Sequence, residues 1–173
     1  MFQCFSVNTL QDRTALVTGS SRGIGATIAR KLALQGAEVL IHGSRDTDTL
    51  RRVVEEIRAK GGKAEFLVAD MREPGSMVEL LDRLGTHAEQ LDILINNAGI
   101  FGGGALESLE LETIQRVLTV NVTSLTVATR EFVRRTKSSS GNSVAELVRR
   151  TPPTPNAVKA LLSTCYLLSF TRD

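Results

Sequence analysis

The stretch Thr18-Gly-Ser-Ser-Arg-Gly-Ile-Gly25 decides how this chain folds. It follows a short apolar and β-branched segment, residues 14–18, which is typical of a buried parallel strand. Beyond it, apolar residues recur three and four positions apart and predict a helix with one apolar face that ends near Gly36. The residues of that face are Ile24, Ile28, Ala29, Leu32 and Ala33. A strand that passes through glycines into a helix aims free N–H groups at one spot, so the sequence predicts a pyrophosphate site, with a turn that binds nothing as the alternative.

Each glycine of this turn has a different steric role. Gly19 permits the turn, Gly23 lets the backbone approach a bound phosphate, and Gly25 has no side chain to hold the helix away from the strand. The G-x-x-x-G-x-G spacing differs from the general dinucleotide fingerprint, G-x-G-x-x-G. The ligand is therefore identified by the spacing together with the rest of the chain.

The composition is that of one soluble globular domain, with 173 residues of which 42% are hydrophobic and 23% charged. The net charge is +2 without a long run of one sign, so neither nucleic acid nor a membrane surface is expected as a partner. Cys4 and Cys165 belong to no paired motif, which indicates a reducing compartment and no metal site. Residues 1–12 lack the features of a secretory signal and residues 160–170 are too few to span a bilayer, so we expect the protein in the cytoplasm.

Strand and helix patterns alternate along the chain as far as residue 95. Apolar runs predict further strands at 38–42, 63–69 and 91–95. Helical stripes separate these strands, one around 50–57 and one that begins at Asp70. This alternation, with right-handed crossovers, predicts an α/β protein with a doubly wound parallel sheet in the spatial order 3-2-1-4.

A long helix is predicted from about residue 111 to residue 135, after a glycine-rich loop at 99–104. Asn121 lies in the middle of this helix between apolar turns, where its amide is costly unless it is hydrogen-bonded. We therefore expect a hydrogen-bond partner for Asn121. The apolar positions of the helix are Ile114, Val117, Leu118, Leu125 and Ala128.

Two motifs together carry a family resemblance. The glycine turn with its preceding threonine, and Asn96-Asn97-Ala98-Gly99 after the fourth strand, resemble the T-G-x-x-x-G-x-G and N-N-A-G motifs of the short-chain dehydrogenase/reductase family. The resemblance covers about residues 10–142 and implies a Rossmann-like fold, a nicotinamide dinucleotide cofactor and a small carbonyl or alcohol substrate. We accordingly assign residues 1–142 to an NAD(P)-binding domain, incomplete relative to the family, and residues 143–173 to a divergent tail.

The resemblance places the cofactor along the ends of the first, third and fourth strands. It implies that Asp70 meets the adenine amino group beside the backbone of Met71, although Asp70 and Glu73 also form a capping-box pattern. It implies that residues 97–99 line the cofactor, with an asparagine-glycine turn as the alternative. The expected cofactor contacts are Thr18, Gly19, Ser21, Arg22, Gly23, Ile24, Gly25, Arg45, Asp70, Met71, Asn97, Ala98 and Gly99.

The residue at the end of the second strand indicates which cofactor is used. The acceptor of the adenosine ribose lies about 20 residues past the glycines, which is the position of Arg45. A carboxylate there would bind the ribose 2′-OH of NAD, whereas a guanidinium pairs with the 2′-phosphate of NADP. Arg22 reaches the same place from the glycine turn, so we expect NADP rather than NAD. The alternative is that both are solvated surface arginines, for which Asp46 and Asp48 nearby are a partial argument.

The resemblance also implies a serine, then a tyrosine followed four residues later by a lysine, with Asn121 in a proton relay. This chain has one tyrosine, Tyr166, followed four residues later by Phe170 and preceded thirteen residues earlier by Pro153. Lys159 does not have the required spacing. We therefore predict that Tyr166 is a core or surface residue, because proton transfer depends strictly on geometry. Two functions remain open, an NADP-dependent reductase and a cofactor-binding protein without turnover.

The tail is expected to cover an open edge of the sheet. Residues 143–148 are the only candidate for a fifth strand, and an uncovered apolar edge beside the fourth strand favours self-association. Residues 156–173 have an apolar helical spacing, so we expect a helix that packs back onto the sheet. Its apolar positions are Ala157, Leu161, Leu162, Cys165 and Leu168.

Overall fold

A computed structural model describes residues 10–84, 91–102 and 106–136 of the chain. Helices and strands alternate in it up to the fourth strand, as the sequence predicts. The strands are β1 (Thr14–Val17), β2 (Glu38–Gly43), β3 (Lys63–Val68) and β4 (Leu91–Ile95). The helices are α1 (Gly23–Leu34), α2 (Asp48–Ala59), α3 (Ser76–Leu84), α4 (Leu111–Leu118) and α5 (Leu125–Thr136), with a short 3-10 turn at Leu106–Ser108 and a π-helical segment at Thr119–Ser124.

The four strands form one parallel sheet in the order β3-β2-β1-β4, which confirms the predicted doubly wound arrangement. Val17 at the end of β1 lies opposite Ile41 of β2 on one side and Ile95 of β4 on the other. The carboxyl ends of these three strands therefore meet at one edge of the sheet. In open parallel sheets, ligands bind at this edge, where the direction of winding reverses.

Each face of the sheet has its own apolar core because successive side chains of a strand point to opposite faces. Ala15 and Val17 pack on the face covered by α1 and α2, whereas Leu16 packs on the face covered by α3 and α5. All three residues are fully buried. β1 is thus enclosed by strands on both sides and by helices on both faces, which explains its uninterrupted apolar sequence.

Helix α1 begins and ends where its glycines predict, but its first two residues are not part of the core. Gly36 follows the last turn with a φ of +96°, the left-handed conformation that ends many helices. The prediction that Ile24 lies on the buried face is wrong, because 74% of Ile24 is exposed. The first two residues of the helix, Gly23 and Ile24, are exposed, and its burial begins at Gly25 and Ala26.

The segment after β3 is a turn, and helix α3 begins six residues later than predicted. The carboxylate of Asp70 accepts the N–H of Arg72, and the Glu73 N–H donates to the Asp70 carbonyl. Pro74 then disfavours a helical conformation at the residue before it. The capping-box interpretation of Asp70 and Glu73 is therefore wrong, since neither lies in the first turn of α3, which starts at Ser76.

The long helix is present, but a π-helical segment at Thr119–Ser124 interrupts it around Asn121. A π turn holds an additional residue and so rotates the helix before it relative to the helix after it. The predicted apolar positions therefore differ in burial on the two sides of this segment: Leu125 and Ala128 are buried, whereas Ile114 and Leu118 are 36% and 54% exposed.

The predicted tail, residues 143–173, lies outside the described residues, as do Cys4 and Tyr166. The domain boundary at residue 142, the fifth strand and the covering helix therefore stay predictions. In the part of the chain that is described, no helix has the length and apolar character needed to cross a membrane.

Candidate functional site

The glycine turn between β1 and α1 lies at the edge of the sheet where three strands end. Gly19 and Gly23 have φ angles of +64° and +60°, a conformation that other residues adopt only at a cost. A Cβ atom on Gly19 would also lie 2.7 Å from the Cα atom of Ala98. The turn therefore requires glycine at position 19 for both its backbone conformation and its close approach to the segment after β4.

The hydroxyl of Thr18 joins this turn to β4. It donates a hydrogen bond to the carbonyl of Ile95 (3.2 Å) and accepts from the backbone N–H groups of Asn97 (2.9 Å) and Ala98 (3.0 Å). A hydroxyl has one donor and two acceptor positions, so all three are used. Thr18 is fully buried, and it fixes where residues 97–99 lie relative to the turn.

Asn97 supports the turn from the same side. Its Nδ2 donates to the carbonyls of Thr18 (2.9 Å) and Gly19 (3.0 Å). A Cβ atom on Gly25 would collide with this amide and would lie 2.6 Å from the Gly19 carbonyl oxygen. The absence of a side chain at Gly25 thus allows α1 to pack against the turn, as expected, and the side chain of Asn97 faces the turn.

The outer side of the turn is open. A Cβ atom on Gly23 would meet nothing within 4 Å among the described residues. The N-cap residue of α1, Arg22, makes no side-chain capping bond, so no side chain of its own satisfies the N–H groups of the first turn. The positive end of the α1 dipole also points here. This arrangement suits an anion that is bound by the backbone N–H groups near Gly23, where the side chain of Ile24 is also exposed.

A positively charged cavity of about 290 Å³ adjoins the turn at the end of β2. Arg22 and Arg45, two of the residues predicted for cofactor choice, lie in its wall together with Arg72. Over the described residues, the guanidinium groups of Arg22 and Arg45 have no carboxylate partner. The other lining residues are Ser21, Gly43, Ser44, Thr47 and Thr49.

The two aspartates that follow Arg45 are engaged elsewhere. The carboxylate of Asp46 forms a bidentate ion pair with Arg51 of α2. Asp48 is the first residue of α2, where a negative charge interacts favourably with the helix dipole. The argument that these acids neutralise Arg45 is therefore weakened, because each has a different structural role.

Arg72 belongs to this site although the sequence analysis did not single it out. Its guanidinium forms an ion pair with Asp70, and the hydrogen bond from Arg72 holds the pKa of the Asp70 carboxyl below its usual value, with a further electrostatic contribution from Arg45. Met71, between them, is buried, and its carbonyl accepts a hydrogen bond from the Ser124 hydroxyl. Asp70 is thus paired with a residue that lines the cavity, and Met71 follows it in the buried core.

Asn121 has the hydrogen-bond partner that its position in the helix requires. Its Oδ1 accepts from the N–H of Ile100 (2.8 Å) and its Nδ2 donates to the carbonyl of the same residue (2.9 Å). The prediction that the amide is satisfied is confirmed. The pair holds the segment after Gly99 against the π-helical segment, and the role of Asn121 in a proton relay stays a prediction.

The buried imidazole of His42 is a further residue of the site that sequence reasoning missed. It lies at the end of β2 and is 1% exposed. Its Nδ1 accepts the N–H of Gly19 (3.0 Å), and its Nε2 lies 3.0 Å from the carbonyl of Ala69. Burial lowers the pKa of His42, an effect that the bond to Ala69 and the charge of Asp70 oppose. A histidine next to the glycine at the end of β2 is the only signal in the sequence.

No group of three or more His, Cys, Asp or Glu side chains able to hold a metal ion occurs within residues 10–84, 91–102 and 106–136.

The parallel sheet order and the glycine turn define a Rossmann-like α/β fold, and comparison with known proteins specifies the family. The model of the short chain dehydrogenase family matches residues 13–146. The chain therefore belongs to this family. Elsinochrome reductase 1 of Elsinoe fawcettii is 39% identical over 119 residues, which are 69% of this chain and 45% of that protein. Versicolorin reductase 1 of Dothistroma septosporum is 39% identical over 125 residues, 72% of this chain and 48% of that protein.

Solved structures of the family match at a similar level. A metagenomic short-chain oxidoreductase in complex with NADP is 34% identical with a TM-score of 0.70, over 75% of this chain and 59% of that one. A 3-oxoacyl (acyl-carrier-protein) reductase from Agrobacterium tumefaciens with NADP bound is 35% identical with a TM-score of 0.70, over 79% of this chain and 52% of that one. The chain spans about half the length of the curated relatives that it matches.

The contact between Gly25 and the turn is open to a direct test. We expect Gly25→Ala to lower the free energy of unfolding by about 1–3 kcal/mol, because the new methyl group must displace the Gly19 carbonyl and the Asn97 amide. Gly75→Ala is the matched control, since a Cβ atom there meets nothing within 4 Å, and it should change the free energy by less than about 0.5 kcal/mol. Urea unfolding of both variants measures the difference, and equal effects would contradict the proposed packing.

The buried state of His42 predicts a pH dependence of stability. Its pKa in the folded chain is below the ordinary value of 6.5, so below pH 6.5 the unfolded chain binds more protons than the folded one. The stabilisation is complete above that value and is lost as the pH falls toward the folded pKa, at up to about 1.4 kcal/mol per pH unit. Urea unfolding at several pH values should show this slope in the native chain and a smaller slope in His42→Asn.

Proposed function

We propose that this chain binds a nicotinamide dinucleotide over the glycine turn and that it prefers NADP to NAD. The observation that carries the proposal is the cavity at the end of β2, where Arg22 and Arg45 face the same space without carboxylate partners in the described part of the chain. The open backbone at Gly23 and the uncapped start of α1 provide an adjoining position for the pyrophosphate. The site thus fits a ligand that carries phosphates at two places.

The preference for NADP follows from charge. The 2′-phosphate is an anion with several acceptor oxygens, and arginine binds such groups through paired hydrogen bonds. A carboxylate at position 45 would instead accept from a ribose hydroxyl and repel the phosphate. The NADP found in two of the similar structures supports the same assignment.

The other predicted cofactor contacts lie near the cavity or at the glycine turn. Asp70 is paired with Arg72, which lines the cavity, and the adenine ring is expected near Asp70 and Met71. Ala98 lies against Gly19 of the turn, and the small residues Ala98 and Gly99 would leave room for the ribose and diphosphate. Thr18 and Asn97 act from behind the turn, through the hydrogen bonds that hold it. Ser21 lines the cavity, and Ile24 directly follows Gly23 on the open side of the turn.

The reaction that the family resemblance implies for a complete site is hydride exchange between the nicotinamide and a small carbonyl or alcohol substrate. The cofactor, when bound, supplies the hydride. Asn121, through its paired bonds to Ile100, orders the segment that borders the expected nicotinamide position. We further propose the cytoplasm as the location, on the cysteine pattern of the sequence.

A second candidate is cofactor binding without turnover. The sequence favours it because the only tyrosine, Tyr166, has Phe170 rather than lysine four residues later. A tyrosine acts as a general acid near neutral pH only where its pKa is lowered, and a nearby ammonium group is one way to lower it. Binding and turnover are therefore separate questions for this chain.

Cofactor preference tests the role of the arginines. NADPH is expected to bind at least about tenfold more tightly than NADH, since a hydrogen bond to a charged group contributes about 1.5–3 kcal/mol. Arg45→Asp should reverse the preference, whereas Arg116→Asp, the same change of charge on the exposed surface of α4, should leave it unchanged. Fluorescence titration with both cofactors measures the affinities. Equal affinities for NADPH and NADH in the native chain would contradict the role proposed for Arg22 and Arg45.

Turnover is tested with a panel of small carbonyl substrates and NADPH. We expect consumption of NADPH at background rate, because no residue has the spacing of the tyrosine and lysine pair. Loss of NADPH absorbance is the measurement, with Tyr166→Phe as the matched variant. A rate well above background that disappears in Tyr166→Phe would show that Tyr166 is the acid and that the second candidate is wrong.

A further inference from the structure

The side chain of His42 connects the glycine turn to two strands at once. Its ring bonds to Gly19 in the turn and to Ala69 just after β3. Its backbone also takes part, since the His42 N–H donates to the Ser20 hydroxyl (2.9 Å) and the Ser20 N–H donates to the His42 carbonyl (2.9 Å). Three of these four hydrogen bonds therefore hold the first two residues of the turn.

The two ring partners determine the protonation state of His42. The N–H of Gly19 can only donate, so Nδ1 must carry a lone pair and no proton. The carbonyl of Ala69 can only accept, so Nε2 must carry the proton. The surroundings are thus satisfied by one form alone, the neutral Nε2–H tautomer, and neither the other tautomer nor the imidazolium fits both partners.

The bond to His42 sets the direction of the Gly19 N–H at the start of the turn. The Gly19 N–H is directed inward to the imidazole, at a residue whose φ of +64° reverses the direction of the chain. The hydroxyl of Ser20 donates inward as well, to the carbonyl of Val17 (2.6 Å). The start of the turn is therefore held from inside. The open side of the turn, at Gly23 where α1 begins, faces the expected ligand position.

We infer that His42 is a positioning residue for the cofactor site: its imidazole, as an acceptor for the Gly19 N–H, holds the glycine turn in the conformation that binds the pyrophosphate. The inference rests on the proposed function for its consequence, which is cofactor affinity, but its structural part concerns the ligand-free chain. His42 does not touch the cofactor, because it is buried behind the turn.

Two substitutions separate the two ring nitrogens. In His42→Asn the amide oxygen falls near the position of Nδ1 and can accept from Gly19, whereas the bond to Ala69 is lost. In His42→Gln the amide nitrogen falls near the position of Nε2 and can donate to Ala69, whereas the acceptor for Gly19 is lost. Each variant loses one of the two ring hydrogen bonds, so a general structural role predicts similar losses of stability and of cofactor affinity in both.

The first measurement is hydrogen exchange of the Gly19 amide in the ligand-free full chain. We expect slow exchange in the native chain and in His42→Asn, and exchange at least about tenfold faster in His42→Gln. The second is the dissociation constant of NADPH by fluorescence titration, expected to rise about fivefold or more in His42→Gln and to stay within about twofold in His42→Asn. Urea unfolding of both variants shows that the comparison is made on folded protein.

Equal Gly19 exchange and equal NADPH affinity in the two variants would overturn the positioning role. Should His42→Asn be the weaker binder, the bond to Ala69 would be the important one and the inference would be wrong. A native chain that binds neither NADPH nor NADH would overturn the proposed function alone, because the exchange of the Gly19 amide still decides whether His42 holds the turn.

Discussion

The hydrogen bonds of the Thr18 hydroxyl are the constraint on which the site depends. This one group accepts two backbone N–H groups from the segment after β4 and donates to the carbonyl of Ile95. It thereby satisfies three backbone groups where two parallel strands end. Because β1 is central in the sheet, any shift of its end would move the turn, α1 and the edge at which ligands bind.

The residues around the turn divide into those that hold it and those that face outward. Asn97 and His42 bond to its backbone from inside, and the Thr18 hydroxyl joins it to the segment at the end of β4. The outward side carries Arg22 and Arg45, and the nearby carboxylates of Asp46 and Asp70 are paired with Arg51 and Arg72. Those pairs leave a net positive field at the cavity without a separate basic patch, so a nearly neutral chain can still present a local anion site.

The sequence predicted the features that depend on local pattern. The strand order, the glycine turn, the end of α1 at Gly36 and the need for a partner at Asn121 follow from periodicity, glycine stereochemistry and the cost of an unpaired amide. The start of α3 was missed because Pro74 and the bonds of Asp70 override an apolar stripe. His42 was missed because its ring bonds to residues 23 and 27 positions away in the sequence. Arg72 was missed because the cavity that it lines forms only in the folded chain.

The predicted cofactor contacts and Asn121, the residue predicted for a proton relay, lie in different parts of the described fold. The predicted cofactor contacts lie between Thr18 and Gly99, in the part of the chain that forms the sheet, where β1 has a neighbouring strand on each side. Asn121 lies beyond them in a π-helical segment, a local widening that is frequent at functional sites. Its amide is fully used by Ile100, so it orders the backbone next to the turn whether or not a proton relay exists. A chain with these residues therefore has a physical reason to bind a dinucleotide that does not depend on its capacity for turnover.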